Sequence, residues 1–339
     1  MEKRSLLLLK NKKVWLSAVA VVVLLFVFFM VGANSKTNDA YGVKQNGALQ
    51  VRSGFLRNQS GQRFQLRGIS SHGLSWFPEY TQKESIESVQ KEGANVFRSA
   101  MYTAQEGNYI ERQEHNKQLL YNSVDRTIAA DMYAIVDWHT LRDHDPNTYL
   151  DEALVFFDEA AARYANSDAV IYEICNEPNS GTTWKQIKTY AEKVIPVIRK
   201  HAPKAVILVG VPQYCTDLAS AMKDPLDDPN VMYTFHYYTG MSSIDYTIKS
   251  LRKAKDARFP VFVSEWGFSY EKDGKTLNEK AAKRFLDYLN VHHISWVNWS
   301  LSNKEEEHAA IRSSSTKTAD WNADDLSVSG RFVFHAWKR

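Results

Sequence analysis

Two glutamates in short motifs are the residues of this sequence best suited to chemistry. Glu177 lies in an Asn-Glu-Pro motif and Glu265 in a Ser-Glu-Trp-Gly motif, and each motif follows a short apolar run. Two carboxyl groups can hydrolyse a glycosidic bond when one protonates the leaving oxygen and the other acts on the opposite face of the sugar. If the two stand ~5 to 5.5 Å apart, the second is a nucleophile and the reaction retains configuration. We expect Glu177 to be the acid/base, since a neighbouring negative charge opposes its ionisation, and Glu265 to be the nucleophile.

The elements that must position these glutamates are eight short apolar runs that alternate with amphipathic stretches. The runs are residues 64–69, 95–100, 133–138, 170–174, 206–209, 232–236, 261–264 and 296–300. The stretches with helical spacing are residues 84–91, 119–132, 153–164, 184–200, 244–257 and 279–289, and Thr182 and Thr183 can cap the fourth. The alternation predicts an α/β fold, a single (β/α)8 TIM barrel with a short N-terminal β-hairpin within residues 49–57. An open doubly wound sheet is the alternative, but no Gly-rich phosphate turn accompanies these runs.

Polar and aromatic side chains follow seven of the eight runs, and in a barrel they would meet at one mouth. They are His72, Trp76, Arg98, Tyr102, Asp137, His139, Asn176, Glu177, His236, Tyr238, Glu265 and Trp299. One such residue is usually structural, but this concentration predicts an active site, with Arg98 and Tyr238 placed to keep Glu265 ionised. Three of the histidines could instead bind zinc with a carboxylate. Their spacing matches no short zinc motif, so we expect no metal.

Composition and charge bound the class of protein. The chain has 339 residues, 44% apolar and 24% charged, which is typical of a folded protein with a large core. Five basic residues and one acidic residue among the first thirteen account for the formal charge of +3, so the remainder offers no basic surface for nucleic acid. The two cysteines, Cys175 and Cys215, are too few for a disulfide framework and are interpreted as buried small residues.

The N-terminal segment has a function of its own. An uncharged run at residues 14–31 follows the basic residues, which predicts an export signal, either a cleaved signal peptide or a retained membrane anchor. We favour cleavage after about Ala33. The predicted organisation is therefore a signal peptide or anchor at 1–33, a polar linker at 34–42 and a catalytic domain at 43–339. The protein is expected to work outside the cell, secreted or anchored through residues 14–31.

Seven longer motifs resemble those of glycoside hydrolase family 5, in its branch of bacterial secreted endo-β-1,4-glucanases. They are LRGISSHGLSW (66–76), NVFRSAMYT (95–103), VDWHTL (136–141), YEICNEPN (172–179), HYYTG (236–240), VFVSEWG (261–267) and VNWSLSNKEE (297–306). The resemblance covers the chain from about Val43 to its end.

The resemblance implies roles for the site residues. Glu177 is similar to the family's acid/base, Glu265 to its nucleophile, and Asn176 to the residue that hydrogen-bonds the sugar 2-hydroxyl. Residues that orient the carboxylates are Arg98, His139, His236 and Tyr238. Donor-side sugar-binding positions are His72, Trp76, Tyr102, Trp299, Lys304 and Glu306, while Tyr214 stands where an acceptor-side tryptophan is common. The implied substrate is a β-1,4-glucan polysaccharide, and we expect no cofactor and a monomer.

Two other functions stay open. One barrel and one glutamate pair serve many β-glycans by loop variation, so a mannanase, xyloglucanase or mixed-linkage β-glucanase is an alternative. A non-catalytic glycan-binding surface protein is another, and the presence of both glutamates disfavours it.

Overall fold

Eight parallel strands close into a barrel in this computed structural model, which describes residues 41–269 and 277–338. A hairpin of two short antiparallel strands, β1 (Gln50–Arg52) and β2 (Phe55–Arg57), precedes the barrel. The barrel strands are β3 (Arg67–Ser71), β4 (Val96–Tyr102), β5 (Tyr133–His139), β6 (Val170–Glu173), β7 (Ile207–Gly210), β8 (Val231–Tyr238), β9 (Val261–Gly267) and β10 (Trp296–Leu301). Neighbouring strands follow chain order, and β10 pairs with β3. The predicted barrel and hairpin are confirmed.

Helices connect the strands along the outside of the barrel. They are α1 (Val43–Asn46), α2 (Lys83–Lys91), α3 (Gln113–Ala129), α4 (Leu150–Arg163), α5 (Trp184–His201), α6 (Pro212–Cys215), α7 (Leu218–Lys223), α8 (Ile244–Asp256), α9 (Glu279–Val291) and α10 (Val328–Trp337), with 3-10 turns at Pro78–Thr81 and Pro146–Tyr149. The six predicted helices are present, and α3 begins six residues before its predicted start because its first turn is polar. Thr183 caps α5 in a reciprocal capping box with Gln186.

Alternate residues of one strand belong to different layers of the barrel interior. On β4, Val96 lies in an apolar cluster at the N-terminal end of the barrel, while Phe97 packs outward against the helices. Further along, Arg98 is buried among polar groups, and Tyr102 lies in a small aromatic cluster at the C-terminal end. Side chains two residues apart point to the same face of a strand, so each strand proceeds from an apolar floor to a polar mouth.

The hairpin covers the floor of the barrel. Leu56 on β2 and Leu49 before β1 belong to the same apolar cluster as Leu66 and Tyr133, which lie inside the barrel. The backbone N–H of Val51 donates to the side chain of Asn230 at 2.6 Å, in the turn that leads into β8. The hairpin therefore closes the end of the barrel opposite the predicted site.

The first barrel strand begins later than the sequence indicates. Residues 64–69 were the predicted strand, whereas β3 spans Arg67–Ser71. Phe64 and Leu66 are apolar because they are buried in the floor cluster, which extends the apolar run beyond the strand. Gly68 fixes the pairing of β3 with β4, since a Cβ atom there would lie 1.8 Å from the carbonyl oxygen of Val96.

The chain divides into two units, residues 1–41 and residues 42–339. The predicted export segment at 14–31, and residues 34–40 of the predicted linker at 34–42, lie outside the described residues. Across 41–269 and 277–338, no helix combines the length and apolar character needed to cross a membrane.

Candidate active site

A cleft of about 690 Å³ opens at the C-terminal ends of the barrel strands and collects most of the predicted site residues. Those lining it are His72, Tyr102, His139, Glu177, Tyr214, His236, Tyr238, Glu265, Trp299, Lys304 and Glu306. Arg98 and Asn176 are fully buried close to its wall, and Trp76 lines an adjacent groove. Residues at or after the ends of all eight barrel strands thus meet in one place, as expected for a barrel.

The two glutamates lie close together, and His236 is near both of them. His236 Nδ1 lies 2.8 Å from Glu177 Oε1 and 4.0 Å from Glu265 Oε1. One ligand atom from each of these three residues lies within 4.8 Å of the other two. This spacing suits direct attack by a carboxylate and is too short to hold a water between the two groups, as inversion requires.

Glu265 is held by two donors. Tyr238 donates its hydroxyl hydrogen to Glu265 Oε1 at 2.7 Å, and Arg98 Nη1 lies 3.3 Å from Oε2. Burial, with the charge of Glu177 added, raises the pKa of Glu265 to about 7, while Arg98 and the Tyr238 hydrogen bond oppose the rise. Because both donors favour the carboxylate, Glu265 is the member of the pair that stays ionised when the two share one proton.

Glu177 ends a chain of hydrogen bonds whose direction can be followed. Ser264 donates its hydroxyl hydrogen to Glu173 Oε1 at 2.7 Å, so the Ser264 oxygen accepts from His236 Nε2 at 3.0 Å. Burial lowers the pKa of His236 to about 4, and the ring is neutral. Its Nδ1 is therefore the acceptor and takes a hydrogen bond from the protonated carboxyl of Glu177.

This chain favours the acid form of Glu177. Burial raises the pKa of Glu177 to about 7, Glu173 adds to the rise, and Arg98 opposes it. A hydrogen bond donated by a carboxyl group stabilises its protonated state. The environments of Glu177 and Glu265 thus differ in the sense that an acid and a nucleophile require.

Arg98 connects the buried carboxylates beneath the cleft. It lies 2.7 Å from Glu173, 3.0 Å from Asp137 and 3.3 Å from Glu265, with no exposed surface. Its Nη2 also donates to Asn176 Oδ1 at 2.6 Å. Burial raises the pKa of Asp137 to about 7, and Arg98 opposes that rise. One guanidinium therefore fixes groups from three strands, β5, β6 and β9, and from the turn after β6 in a single arrangement.

His139 acts on the site through Asn176. Its Nδ1 lies 2.6 Å from Asp137 Oδ2, and its Nε2 lies 3.2 Å from Asn176 Nδ2. Burial lowers the pKa of His139, so the neutral ring donates to Asp137 and accepts from Asn176. The second amide hydrogen of Asn176 reaches the carbonyl of Thr140 at 3.2 Å. A hydrogen bond from Asn176 to a sugar hydroxyl requires it to exchange one of these partners.

Two residues of this network, Glu173 and Ser264, were not predicted from the sequence, and Asp137 was placed at the mouth of the barrel without a role. Asp137 and Glu173 lie within strands that are buried along their whole length. A charged residue inside an otherwise apolar strand is the signal that could have found both carboxylates. Ser264 carries no such signal, because a buried serine is common and its role depends on partners from β6 and β8.

The predicted donor-side residues form an aromatic and charged wall. His72 lies in ring contact with Trp76, Tyr102 and Trp299, with centroids 5.1 to 6.2 Å apart. Lys304 Nζ lies 3.2 Å from His72 Nε2 and 2.6 Å from Glu306 Oε2. Burial, and then the charge of Lys304, lowers the pKa of His72 to about 3. Flat rings beside charged hydrogen-bonding groups suit a sugar, which has apolar faces and a polar rim.

One carboxylate oxygen of Glu306 accepts no hydrogen bond among the described residues. Its Oε1 is buried and has no hydrogen-bond partner among the described residues. Buried polar atoms normally have a hydrogen-bond partner, so this oxygen is available to accept a hydrogen bond from a ligand, such as one from a hydroxyl group.

Tyr214 lies on the other side of the cleft, in a turn with unusual backbone geometry. Gln213, Tyr214 and Cys215 all have positive φ angles of 55° to 58°. Such residues each cost ~1 kcal/mol or more, so the surroundings must hold them. Cys215 is buried as predicted, with Sγ 2.8 Å from the Asn176 carbonyl and 3.0 Å from the Thr234 hydroxyl. The turn is therefore fixed to the segment that carries Glu177, and it leaves the Tyr214 ring exposed.

Among the described residues, the group of side chains that could coordinate a metal ion is Glu177, His236 and Glu265. The sequence offered His72, His139 and His236 as a possible zinc site. Of these, only His236 belongs to the group that the structure brings together. The three side chains already have a consistent hydrogen-bond arrangement, which accounts for their proximity.

A (β/α)8 barrel with this pair of facing carboxyls defines the class of the protein as glycoside hydrolase. The family model Cellulase (glycosyl hydrolase family 5) matches residues 57–305. Endoglucanase A of Butyrivibrio fibrisolvens is 41% identical over 297 residues, which are 86% of this chain and 68% of that protein. The chain belongs to glycosyl hydrolase family 5.

Two solved structures support the same conclusion. The catalytic domain of Thermobifida fusca endoglucanase Cel5A superposes with a TM-score of 0.83 at 34% identity, covering 88% of this chain and 99% of that one. A variant of that domain in complex with cellotetraose gives a TM-score of 0.82 at 33% identity, covering 88% of this chain and 99% of that one. The fold and family predicted from the sequence are confirmed.

Proposed function

We propose that this chain is an endo-β-1,4-glucanase that retains configuration, with Glu177 as acid/base and Glu265 as nucleophile. Family membership and the endoglucanase relatives support the reaction class. The observation that carries the residue assignment is the proximity of the two carboxyls, with an oxygen of Glu177 within 4.8 Å of an oxygen of Glu265. At that separation Glu265 can reach the anomeric carbon itself.

In the first step, Glu265 attacks the anomeric carbon of a glucosyl unit. Glu177 gives its proton to the glycosidic oxygen, the bond between that oxygen and the anomeric carbon breaks, and a glucosyl ester of Glu265 forms. The chain that carried the leaving oxygen departs with a free 4-hydroxyl. As Glu265 loses its charge, its ion pair with Arg98 and its hydrogen bond from Tyr238 weaken.

In the second step, Glu177 acts as a base. Esterified Glu265 carries no charge, so the repulsion that helped to keep Glu177 protonated is gone and its pKa falls. Glu177 takes a proton from water, the water oxygen bonds to the anomeric carbon, and the ester bond to Glu265 breaks. Both carboxyls then have their starting protonation, with Glu265 again paired with Arg98.

The sugar chain is held by the residues of the two cleft walls. We assign His72, Trp76, Tyr102, Trp299, Lys304 and Glu306 to the donor side, where rings cover sugar faces and Lys304 and Glu306 bind hydroxyls. Tyr214 is assigned to the acceptor side. Asn176 binds the 2-hydroxyl at the cleaved unit after exchanging one of its protein partners.

The protein is proposed to act outside the cell as a monomer. An uncharged run follows a basic N-terminal segment, and a polymeric glucan cannot enter a cell to meet an enzyme. Expression of the full-length chain in a Gram-positive host, followed by fractionation and N-terminal sequencing, tests this. Intact protein in the cytosol would contradict export, and a membrane-bound product with residues 14–31 retained would establish an anchor.

The mechanism is tested with a cellobiosyl fluoride carrying fluorine at C2, followed by peptide mass mapping. We expect the label on Glu265, and a label on any other residue overturns the assignment. Reducing-sugar release from carboxymethylcellulose, mannan and xyloglucan then ranks the polymers. The wild type should act best on carboxymethylcellulose, and Glu265→Gln should be inactive on all three polymers. Equal release by both proteins would end the proposal.

A further inference from the structure

The outward face of the β1–β2 hairpin carries three arginines around one aromatic ring. Leu56 faces the barrel floor, so Arg52, Phe55 and Arg57, at the alternate positions of the paired strands, face away from the barrel. Arg63 joins them, with its guanidinium 3.8 Å from the centre of the Phe55 ring. We call these four outward residues the hairpin face. It lies at the end of the barrel opposite the cleft.

The positive charge of the hairpin face has no counter-charge nearby in the chain. Residues 41–78 contain one lysine, four arginines and no acidic residue. Arg57 Nη1 donates to the carbonyl of Gly61 at 2.7 Å, but among the described residues no ion pair joins Arg52, Arg57 or Arg63 to a carboxylate. Positive charges gathered without counter-charges repel one another, so this face favours a partner that carries negative charge.

Two further basic residues border the hairpin. A Cβ atom on Gly54 would lie 2.6 Å from the carbonyl oxygen of Arg258, which places Arg258 beside the hairpin turn. The carbonyl of Lys204 accepts from Asn230 Nδ2 at 2.6 Å, and the Asn230 side chain also accepts from the backbone of Val51. Arg258 and Lys204 are both exposed. The basic surface therefore extends from the hairpin onto the barrel.

Acidic residues offset part of this charge away from the hairpin face. Asp131 accepts from the backbone N–H of Lys44 at 2.9 Å, and Asp168 lines a shallow hollow together with Lys204. Asp227 is exposed in the turn before β8. These carboxylates balance the basic residues around the hairpin and leave its three arginines as the excess.

The chain enters the catalytic unit at this same end of the barrel. Val43 at the start of α1 packs against the floor cluster, and the Tyr133 hydroxyl donates to the carbonyl of Gly47 at 2.7 Å. The uncharged run that is predicted to enter a membrane ends at residue 31, and the ten residues 32–41 follow it. Ten residues reach at most ~35 Å when fully extended. With the run in a bilayer, the floor of the barrel is held within reach of the membrane surface.

We propose that the hairpin face binds anionic phospholipid headgroups when the full-length chain is in a membrane. The inference goes beyond the proposed function, since it concerns where the catalytic unit stands and not the reaction. Lysines and arginines close to an anionic bilayer bind it through an attraction that salt screens, and an aromatic ring among them suits the interface. The sequence predicted a membrane contact through residues 14–31 alone, because net charge averages over faces that the fold separates. The cleft at the other end of the barrel then faces away from the bilayer.

The test measures how close each end of the barrel lies to a bilayer. The full-length chain is reconstituted into phosphatidylcholine vesicles with or without phosphatidylglycerol, and a nitroxide quencher is carried on the lipid headgroups. A fluorophore is attached at Ser53→Cys in the hairpin turn or at Ser243→Cys, next to the cleft-lining Ser242, and both labelled positions are exposed. Cys175 and Cys215 are buried and do not compete for the label.

We expect strong quenching at residue 53 and weak quenching at residue 243 in vesicles that contain phosphatidylglycerol. Each arginine near an anionic bilayer contributes about fivefold to binding, so replacing Arg52, Arg57 and Arg63 together by Gln should lower the equilibrium constant for docking about a hundredfold. Quenching at residue 53 should then fall to its level in pure phosphatidylcholine. An increase from 50 to 500 mM sodium chloride should have the same effect on the wild type.

Two control variants separate local charge from other effects, and circular dichroism checks that each variant is folded. Replacing the three hairpin arginines by Lys keeps the charge and should keep the quenching. Replacing Arg112, Lys185 and Lys280 by Gln removes the same charge at the starts of α3, α5 and α9, at the cleft end, and should also keep it.

Quenching at residue 53 that does not depend on phosphatidylglycerol would overturn the inference. So would equal quenching at residues 53 and 243, or a glutamine variant of the hairpin arginines that is quenched like the wild type. No step measures hydrolysis, so these outcomes are independent of whether the proposed function holds.

Discussion

The proton shared by Glu177 and Glu265 is controlled by uncharged neighbours as well as by Arg98. Tyr238 donates to Glu265, and neutral His236 accepts from Glu177. The proposed mechanism requires Glu265 ionised and Glu177 protonated, so we expect the pH profile of kcat/KM to be bell-shaped. The acid limb follows the first proton lost by the pair and the alkaline limb the second.

Tyr238→Phe should move the acid limb alone. In the wild type this hydrogen bond lowers the pKa of Glu265. Its removal raises that pKa, so the acid limb of the profile moves to higher pH. A hydrogen bond to a charged group is worth ~1.5 to 3 kcal/mol, which corresponds to a shift of about one pH unit or more. The profile is measured with dinitrophenyl cellobioside. An unmoved acid limb would show that Tyr238 does not stabilise the ionised nucleophile.

Ser264→Ala should move the alkaline limb to lower pH. Without the serine oxygen, His236 Nε2 loses its acceptor, and the ring can place its hydrogen on Nδ1. That hydrogen donates to Glu177 and stabilises its ionised form, so its pKa falls and the acid is lost at lower pH. Ser264→Thr keeps the hydroxyl and should keep the wild-type limb. If Ser264→Ala and the wild type have the same alkaline limb, the hydrogen-bond chain from Glu173 through Ser264 and His236 does not set the pKa of Glu177.

At this scale the sequence predicted the two close carboxyls and four residues around them, Arg98, His139, His236 and Tyr238, but not Glu173 and Ser264. Glu177 and Glu265 follow strands directly, and their motifs were visible in the chain. Glu173 and Ser264 depend on partners from other strands, and the direction of their hydrogen bonds requires atomic positions. The engagement of both Asn176 amide hydrogens could not be foreseen for the same reason.

Helix α5 shows what the sequence reveals about an element. Its predicted start at residue 184 and its cap by Thr183 agree with the structure, because the capping box is a local pattern. The turn at Gln213 to Cys215 was not predicted, since its left-handed geometry depends on contacts with Asn176 and Thr234.

Thr183→Ala should destabilise the protein by about 1 kcal/mol, because it removes the side-chain cap of α5. Thr183→Ser retains an oxygen in the same place and should cost much less. Urea unfolding followed by circular dichroism measures both free energies of unfolding. Equal stability of the alanine variant and the wild type would mean that the capping box does not stabilise α5.

Gly68→Ala should be the more damaging change at the level of elements. The added methyl group would collide with the Val96 carbonyl in the neighbouring strand, so β3 and β4 must move apart. We expect a loss of about 3 kcal/mol or more, or failure to fold. Gly61→Ala is the matched control, because its Cβ would meet nothing within 4 Å and its cost comes from a positive φ alone. A smaller loss at Gly68 than at Gly61 would contradict the close approach.

Over the whole molecule, the fold was the most predictable property. Eight buried runs separated by helical patterns leave few arrangements other than a closed barrel. The exact start of β3 was missed, since floor residues and strand residues are equally apolar. Export and the monomeric state stay predictions.

The charged groups around Glu177 and Glu265 are buried, and this has a measurable effect. Interactions among buried groups are screened little by salt, and a neutral glucan has no charge to be steered. We expect kcat/KM for mixed-linkage β-glucan to change less than twofold between 50 and 500 mM sodium chloride, a range over which surface charges are strongly screened. Carboxymethylcellulose, which is anionic, serves as the comparison. A tenfold change with the neutral polymer would imply that surface charge takes part in binding.

The two-residue repeat along β4 has a practical consequence for engineering. Val96 contributes to the floor, Arg98 to the proton chemistry and Tyr102 to the cleft, although they share one short strand. Val96, which packs in the apolar floor, is therefore only two residues from Arg98, which contacts Glu265. Variants selected for thermal endurance at the hairpin end of the barrel should keep the pH profile of the parent enzyme.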